Sequence, residues 1–308
     1  MNVRRIVERL LRPFHHKRKS ARASSSSSEK ANPDDFLGRF REIVSDPLNL
    51  LIERDPRAGV VEDGFVWVHN GNRVAVEGQD AYYGRFSDVL IVNRGVHEPL
   101  EEYVFQEVLR GMPDEPTMLE LGAYWGHYSM WMKRSHPRAR VFLVEPDATN
   151  LEVGRANFAR HGYDGVFIQA FVGRQHFRVD HFLGERGFPR LDILHADIQG
   201  FEVEMLEGCV ESLHRGLIGY AFVSTHSQSL HDQVVAELSA GGMRIEVSSG
   251  FDFETTSFDG FVFASRAAEA PVFSAFSPIG RREILRSSPA RLVSYLTSIL
   301  HSARALCA

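Results

Sequence analysis

The chain has 308 residues, enough for one large domain with extensions or two small ones, and 44% hydrophobic with 24% charged residues reads as globular with a sizeable core. No apolar run approaches the roughly 18 residues that cross a bilayer, and two widely separated cysteines, Cys209 and Cys307, argue against a disulfide framework or thiolate metal centre and for a reducing cytoplasm. The net charge of -5 is unevenly placed: residues 1–30 hold nine Lys/Arg against two Glu (+7), residues 281–308 hold five Arg against one Glu (+4), and the body between carries -16. An acidic body disfavours nucleic acid as its partner and leaves the basic ends to meet an anionic surface.

In chain order, Val3, Ile6, Leu10, Leu11 and Phe14 recur at helical spacing among Arg4, Arg5, Arg9 and Arg12. That is the pattern of a basic amphipathic helix lying peripherally on an inner membrane face, or equally of a frayed tail. Arg9 and Arg12 interrupt the apolar stretch that a signal peptide needs. His15–Lys30, with serines at 24–28, reads as disordered linker, so residues 1–33 form an N-terminal extension. Residues 34–115 read as an accessory α+β region. It starts with a helix capped by Asp34 that runs through Phe36, Phe40 and Ile43 toward Leu51. A hairpin of Gly64–Val68 and Arg73–Val76 around Asn70-Gly71 follows, then a helix over Glu98–Leu109 with Leu100, Val104, Phe105 and Val108 on one face. This region is expected to close one edge of a larger sheet, with Tyr82, Tyr83 and Tyr103 packing inside it.

Residues 116–266 alternate strand and helix, the mark of an α/β doubly wound, mostly parallel sheet. Strands are expected at Met118–Leu121, Arg140–Glu145, Gly165–Ala170, Leu191–Ala196 and Leu217–Ser224, and helices after Gly126 and at Asn150–Arg160, Phe201–Leu213 and Leu230–Ala240. Residues 179–183 fall in an irregular insert, and Met243–Val247 with Gly260–Ala264 read as a closing antiparallel pair. Residues 267–308 are a tail in which Ile284, Leu285, Leu292, Leu296 and Leu300 make a basic amphipathic helix, broken at Pro289.

The chemistry gathers at Met118-Leu119-Glu120-Leu121-Gly122-Ala123-Tyr124-Trp125-Gly126, which reads as strand, turn and helix start. Gly122 and Gly126 permit a sharp turn that lets a ligand lie against peptide groups, with the first amides of the next helix pointing at it. Glu120 at the carboxyl end of the strand suits a cationic amine better than a phosphate. Ala123 and Tyr124 stand where a G-x-G-x-x-G dinucleotide loop needs its second glycine, so S-adenosylmethionine (SAM) fits better than a nicotinamide cofactor. Glu145 closes the second strand, where a carboxylate accepts both hydroxyls of a ribose. Asn150 reads as the cap of the following helix and Asp147 as a turn residue. Tyr124, Trp125 and Tyr128 read equally as aromatic walls around a sulfonium and as core.

His195, Asp197 and His226 stand at the carboxyl ends of adjacent strands. His226 reads as a general base, with Asp197 positioning it or the acceptor, and His195 as its rival or as a buried residue behind it. A two-His-one-carboxylate metal site drawn from these three is the weaker reading, because nothing in the spacing requires it, and no metal is expected. Glu202 is expected to bind at its helix start.

The longer stretch Leu191-Asp192-Ile193-Leu194-His195-Ala196-Asp197-Ile198-Gln199-Gly200-Phe201-Glu202-Val203-Glu204-Met205-Leu206-Glu207-Gly208 resembles the D-[IV]-[EQ]-G-x-E-x-x-x-L-x-G signature of FkbM-type methyltransferases. Glu120-Leu121-Gly122-Ala123-Tyr124-Trp125-Gly126-His127-Tyr128-Ser129 is similar to that family's loop, with Glu in place of a frequent Asp and Tyr-Trp in place of a frequent Asn-polar pair. Val144-Glu145-Pro146 matches as well, and the resemblance spans roughly residues 117–265, including Thr225-His226 and Ser257–Gly260. It implies the seven-stranded sheet of class I methyltransferases and a SAM-dependent O-methyltransferase acting on a hydroxyl of a sugar, polysaccharide precursor, polyketide or related metabolite. Cofactor contacts are implied at Glu120, Gly122, Ala123, Tyr124, Gly126, Glu145 and Pro146. The competing readings are a nicotinamide-dependent oxidoreductase on a similar sheet and a non-catalytic adaptor that keeps the fold and works through its basic ends.

Overall fold

A computed structural model of the chain describes residues 33–78, 81, 87–251 and 259–303, with side chains described from residue 38 onward. The expected N-terminal amphipathic helix and serine linker, Tyr82, Tyr83, Ser257 and the last residues of the tail lie outside the described residues.

The accessory region begins with helix α1 (Pro33–Ser45), followed by a single 3-10 turn at Pro47–Leu50. The helix expected to reach Leu51 ends early because Pro47 cannot continue it, and Asp46 accepts the Leu48 amide at 2.8 Å to start the new turn. Strands β1 (Val61–Glu62), β2 (Phe65–Trp67) and β3 (Arg73–Ala75) form a small antiparallel sheet. Trp67 pairs with Arg73 across the expected Asn70-Gly71 turn, where Gly71 takes φ +83°. Helices α2 (Ser87–Val92) and α3 (Pro99–Leu109) complete the region.

Every residue of α3 is buried. Its apolar side packs on the large sheet, with Phe105 5.4 Å from Phe222, while Glu101 reaches His195. The expectation of an edge cover is therefore corrected. This helix lies on a face of the sheet, because residues on all its sides are covered, acidic ones included.

The main sheet follows in the expected alternation, with β4 (Thr117–Leu121), α4 (His127–Ser135), β5 (Arg140–Val144), α5 (Ala148–His161), β6 (Val166–Ile168), α6 (Val179–Arg186), β7 (Leu191–Ala196), α7 (Glu202–Glu207), α8 (Val210–His214), β8 (Ile218–Thr225), α9 (Gln228–Ala240), β9 (Met243–Ser249) and β10 (Gly260–Arg266). Spatial order is β6-β5-β4-β7-β8-β10-β9. The first five strands are parallel, and β10 enters antiparallel between β8 and β9. This is the class I methyltransferase sheet. Alternate residues of one strand serve two cores: Met118 faces the layer of α3 and α4, and Leu119 and Leu121 face that of α6, α7 and α9.

Three local expectations change. Residues 179–183 are helical, since Val179, Phe182 and Leu183 share one face and bury it against Phe142 and its neighbours. The helix expected over Phe201–Leu213 splits into α7 and α8 at Gly208, and Asp180 accepts the Glu211 and Ser212 amides that open the second piece. Asp147, not Asn150, caps α5, accepting from the Thr149 and Asn150 amides at 2.7 and 3.0 Å.

The tail forms α10 (Arg281–Arg286) and α11 (Pro289–Ala303), split before Pro289 as expected. Its apolar stripe is largely used within the protein. Tyr295 and Ile299 are buried in the core beside Phe273 and Phe276, with Ile284, Leu292 and Leu296 packed against it, and Arg281 pairs with Glu42 of α1. Leu285 and Val293 remain exposed.

Candidate active site

The carboxyl ends of β4, β5 and β7 open into one pocket, the place where open parallel sheets bind ligands. Of the expected cofactor residues, Glu120, Gly122, Ala123, Tyr124, Glu145 and Pro146 line it, while Gly126 does not. Gly126 sits at the turn into α4 with φ +77°, where an added Cβ would press on Leu143 and Phe158 at 3.0 and 3.1 Å. Its role is to let the loop close.

The loop from Gly122 to Gly126 is wound unusually tightly. Gly122, Tyr124 and Gly126 all have positive φ, and for Tyr124 (φ +44°) that is a strained conformation of the sort that collects at ligand sites. The amides of Gly122 and Ala123 both donate to the Val144 carbonyl, the Gly126 amide donates to Ala123, and the Tyr124 amide donates to Glu145 Oε2 at 3.0 Å. These four amides are engaged within the protein, and of the first amides of α4, expected to point at a ligand, that of Ser129 donates instead to Glu120. A pyrophosphate cradle is thereby lost, while a cofactor without phosphates needs none.

Glu120 stands at the carboxyl end of β4 and lines the pocket. It is 3% exposed and accepts the Ser129 amide at 3.0 Å, so its carboxylate faces the positive N-terminal end of α4. Burial raises its pKa. Glu145, 5% exposed, accepts Tyr124 through one oxygen and the Asp147 amide through the other at 3.0 Å. The Asn150 side-chain amide also donates to Oε1 at 3.4 Å; a carboxylate has about four acceptor positions, so capacity for one hydroxyl remains.

The other half of the pocket is crowded with titratable groups, among them Glu98, Glu101, His195, Asp197 and Asp259. His195 is 3% exposed, its Nε2 lies 2.5 Å from Glu101 Oε1, and Tyr128 stacks on it at 4.1 Å. Burial alone lowers an imidazole's pKa, but the Glu101 carboxylate outweighs it and His195 is raised.

His226 does not line the pocket. It stands behind Asp197, with Nδ1 2.7 Å from Glu202 Oε1 and Nε2 3.2 Å from Asp197 Oδ1 and 3.7 Å from Asp259 Oδ1. Burial would lower its pKa, yet hydrogen bonds to Asp197 and Glu202 and the charges of Asp197 and Asp259 push it up to about 10. At neutral pH it is an imidazolium clamped between carboxylates, so the expectation of a free general base at His226 is corrected. Asp197, against the cost of burial, is held below its usual range by that imidazolium. Glu202 is fully buried at its helix start, where it accepts the Gly200 amide at 2.9 Å.

Glu98, Glu101 and Asp259 were not legible as site residues. Glu98 and Glu101 read as polar positions of a helix in the accessory region, and Asp259 falls in the Ser257–Gly260 stretch of the resemblance with no role assigned to it. Burial lifts Glu98 to about 7 and Asp259 to about 6, and the Tyr128 hydroxyl donates to Glu98 at 2.8 Å.

No protein-family model matches the chain, and no curated protein matches it. Solved structures with a similar fold include a precorrin-6y C5,15-methyltransferase from Geobacter metallireducens, 17% identical over 53% of this chain and 86% of that one, with a TM-score of 0.40. The M. capricolum TrmK bound to S-adenosyl-homocysteine is 12% identical over 63% and 81%, TM-score 0.38. The methyltransferase FkbM from Methylobacillus flagellatus is 13% identical over 61% and 55%, TM-score 0.41. At such identities and scores, the class I fold of this chain rests on its own strand order.

Proposed function

We propose that the chain is a SAM-dependent O-methyltransferase that methylates a hydroxyl of a sugar, polysaccharide precursor or related metabolite. The observation that carries this reading is the two-part pocket. One part, around Gly122, Tyr124, Glu145 and Pro146, suits a nucleoside without phosphates, and the other, around Asp197 and Asp259, is rich in proton acceptors. The engaged loop amides count against a nicotinamide dinucleotide, and the buried ionisable cluster counts against a merely structural adaptor, since such groups gather where chemistry is done. The catalytic unit in this reading is residues 116–266, with residues 34–115 contributing Glu98 and Glu101.

SAM supplies a methyl group activated on a sulfonium. Glu145 would hold a ribose hydroxyl through its remaining acceptor position, and the Tyr124 ring would wall the nucleoside. The protein's task is then to align the acceptor oxygen for in-line displacement, which is worth several powers of ten in effective concentration. Asp259 takes the hydroxyl proton, because a carboxylate with a pKa of about 6 is ionised yet basic enough near neutrality. The His226 imidazolium keeps Asp197 anionic beside it, where Asp197 orients the acceptor.

The test is transfer of labelled methyl from SAM to a panel of sugars, nucleotide sugars and polyols, together with calorimetric titration of SAM and of NAD. Binding of NAD and not SAM would overturn the reading, as would SAM binding with transfer only to nitrogen or carbon acceptors for its O-methyl part. Peripheral contact of the basic ends with an anionic membrane face belongs to the same proposal. It predicts sedimentation with phosphatidylserine vesicles at low salt that is lost on deleting residues 1–30.

A further inference from the structure

At the wall of the pocket formed by His97, Trp125 and His127 lies a second polar cluster. His69 comes from the turn after β2, Glu102 from α3, and His127 is the first residue of α4. They are 1%, 0% and 3% exposed, and one donor atom from each lies within 4.8 Å of the others. His127 Nε2 is 3.5 Å from Glu102 Oε1, and His69 Nδ1 is 3.7 Å from Glu102 Oε2. A third imidazole adjoins them, with His97 Nδ1 2.6 Å from Glu102 Oε1 and its ring 4.6 Å from that of His127. Trp131 closes one side against His69 at 4.4 Å, and Trp125 the other against His127 at 4.9 Å.

Four atoms in this box have no hydrogen-bond partner among the described residues: His69 Nε2, both ring nitrogens of His127, and Glu102 Oε2. Buried polar atoms are rarely left so, and replacing the whole group by apolar residues of similar shape would remove the penalty. Their concentration around one buried carboxylate calls for a bound cation. An equilateral triangle with sides of 4.8 Å puts its centre about 2.8 Å from each corner, so side-chain shifts of about 0.6 Å bring the donors to the usual ~2.2 Å.

We propose that His69, Glu102 and His127, with His97 in reach as a fourth donor, form a site for a divalent transition metal of the Zn2+ type. Imidazole nitrogens with one carboxylate suit zinc and its neighbours, whereas Mg2+ and Ca2+ ask for oxygen donors. The three ligands belong to the hairpin, to α3 and to the residue next to Gly126. The metal therefore staples the accessory region to the end of the cofactor loop. No sequence spacing announced it, because the ligands come from three separate elements.

The test uses the full chain without an affinity tag of histidines. After dialysis against Zn2+ and then metal-free buffer, elemental analysis should find about one zinc per chain, and a chelator should lower the melting temperature reversibly. Co2+ should replace zinc with visible absorption in the range of nitrogen and oxygen coordination. Glu102→Gln and His69→Asn should each weaken zinc binding at least 100-fold, while His226→Asn behind Asp197 and His181→Asn on the surface should retain it. No stoichiometric zinc or cobalt on the wild-type chain overturns the proposal, as does equal binding by folded Glu102→Gln or His69→Asn. If both variants fail to fold, wild-type stoichiometry and the Co2+ spectrum decide alone. None of these readouts depends on methyl transfer, so the site and the proposed activity stand or fall separately.

Discussion

Glu145 Oε2 accepts the backbone amide of Tyr124 at 3.0 Å, so the carboxylate that closes β5 also holds the most strained residue of the loop after β4. One side chain therefore shapes the loop and faces the pocket. Glu145→Ala is expected to weaken SAM binding by the loss of charge-assisted hydrogen bonds, on the order of 1.5–3 kcal/mol. Glu145→Gln should lose less, because its amide oxygen can still accept from Tyr124. Calorimetric titration of folded variants measures both, and unchanged affinity in Glu145→Ala removes the residue from the cofactor site.

Gly122 packs against the segment that follows β7. A Cβ added to it would fall 1.8 Å from the Asp197 carbonyl oxygen, and its φ is +73°. Backbone cannot yield as a flexible side chain does, so Gly122→Ala should unfold the chain or displace Asp197. Gly162 is the control, with φ +67° and nothing within 4 Å of its added Cβ. Gly162→Ala should cost only the left-handed strain, about 1–2 kcal/mol. Urea unfolding ranks the two, and equal losses would refute the argument from close approach.

The sheet was readable because its strands carry continuous apolar runs bounded by turn residues: Met118-Leu119 and Val141–Val144 are buried on both faces and need no alternation to be seen. Glu120 and Glu145 were legible as strand-end carboxylates, but not what they bond to. Glu120 faces a helix start, and Glu145 holds a loop amide, which are tertiary facts. His226 misled for a related reason. A histidine at a strand end suggests a base, and only folding brings Glu202 and Asp197 to its two nitrogens. Glu101 and Asp259 were hidden because one lies on a helix of the accessory region and the other just before β10, whose antiparallel pairing with the carboxyl end of β8 brings it to the pocket.

The clamp on His226 has a pH signature. Its folded pKa of about 10 lies above the ordinary 6.5, so the native state binds this proton more tightly than the unfolded chain. The stabilisation is fully present below about pH 6.5 and is lost as pH rises through about 10. His226→Gln should therefore be less stable than wild type at pH 6, and the gap should narrow by pH 10.5. Guanidinium unfolding at the two values checks it. A gap that stays constant or widens with pH would mean that the imidazolium is not what Asp197 and Glu202 hold.

The proton acceptor is the sharpest point of the proposed mechanism. Asp259 and His226 are neighbours at 3.7 Å, but they stand on opposite sides of neutrality, at about 6 and about 10. If Asp259 removes the hydroxyl proton, turnover with saturating substrates should rise with pH through about 6 and reach a plateau near neutrality. Asp259→Asn should abolish that limb and lower turnover by roughly 10²–10⁴, the usual share of general base catalysis, with SAM affinity nearly unchanged. His226→Gln removes the charge that holds Asp197 anionic and that also lowers Asp259, so it should reduce turnover less and move the limb to higher pH without abolishing it. Glu98 is the rival, with a pKa of about 7 and the Tyr128 hydroxyl on its carboxylate. Loss of the limb in Glu98→Gln with its survival in Asp259→Asn would move the role to Glu98. A limb near pH 6.5 that disappears only in His226→Gln would restore the histidine as base and refute the carboxylate assignment.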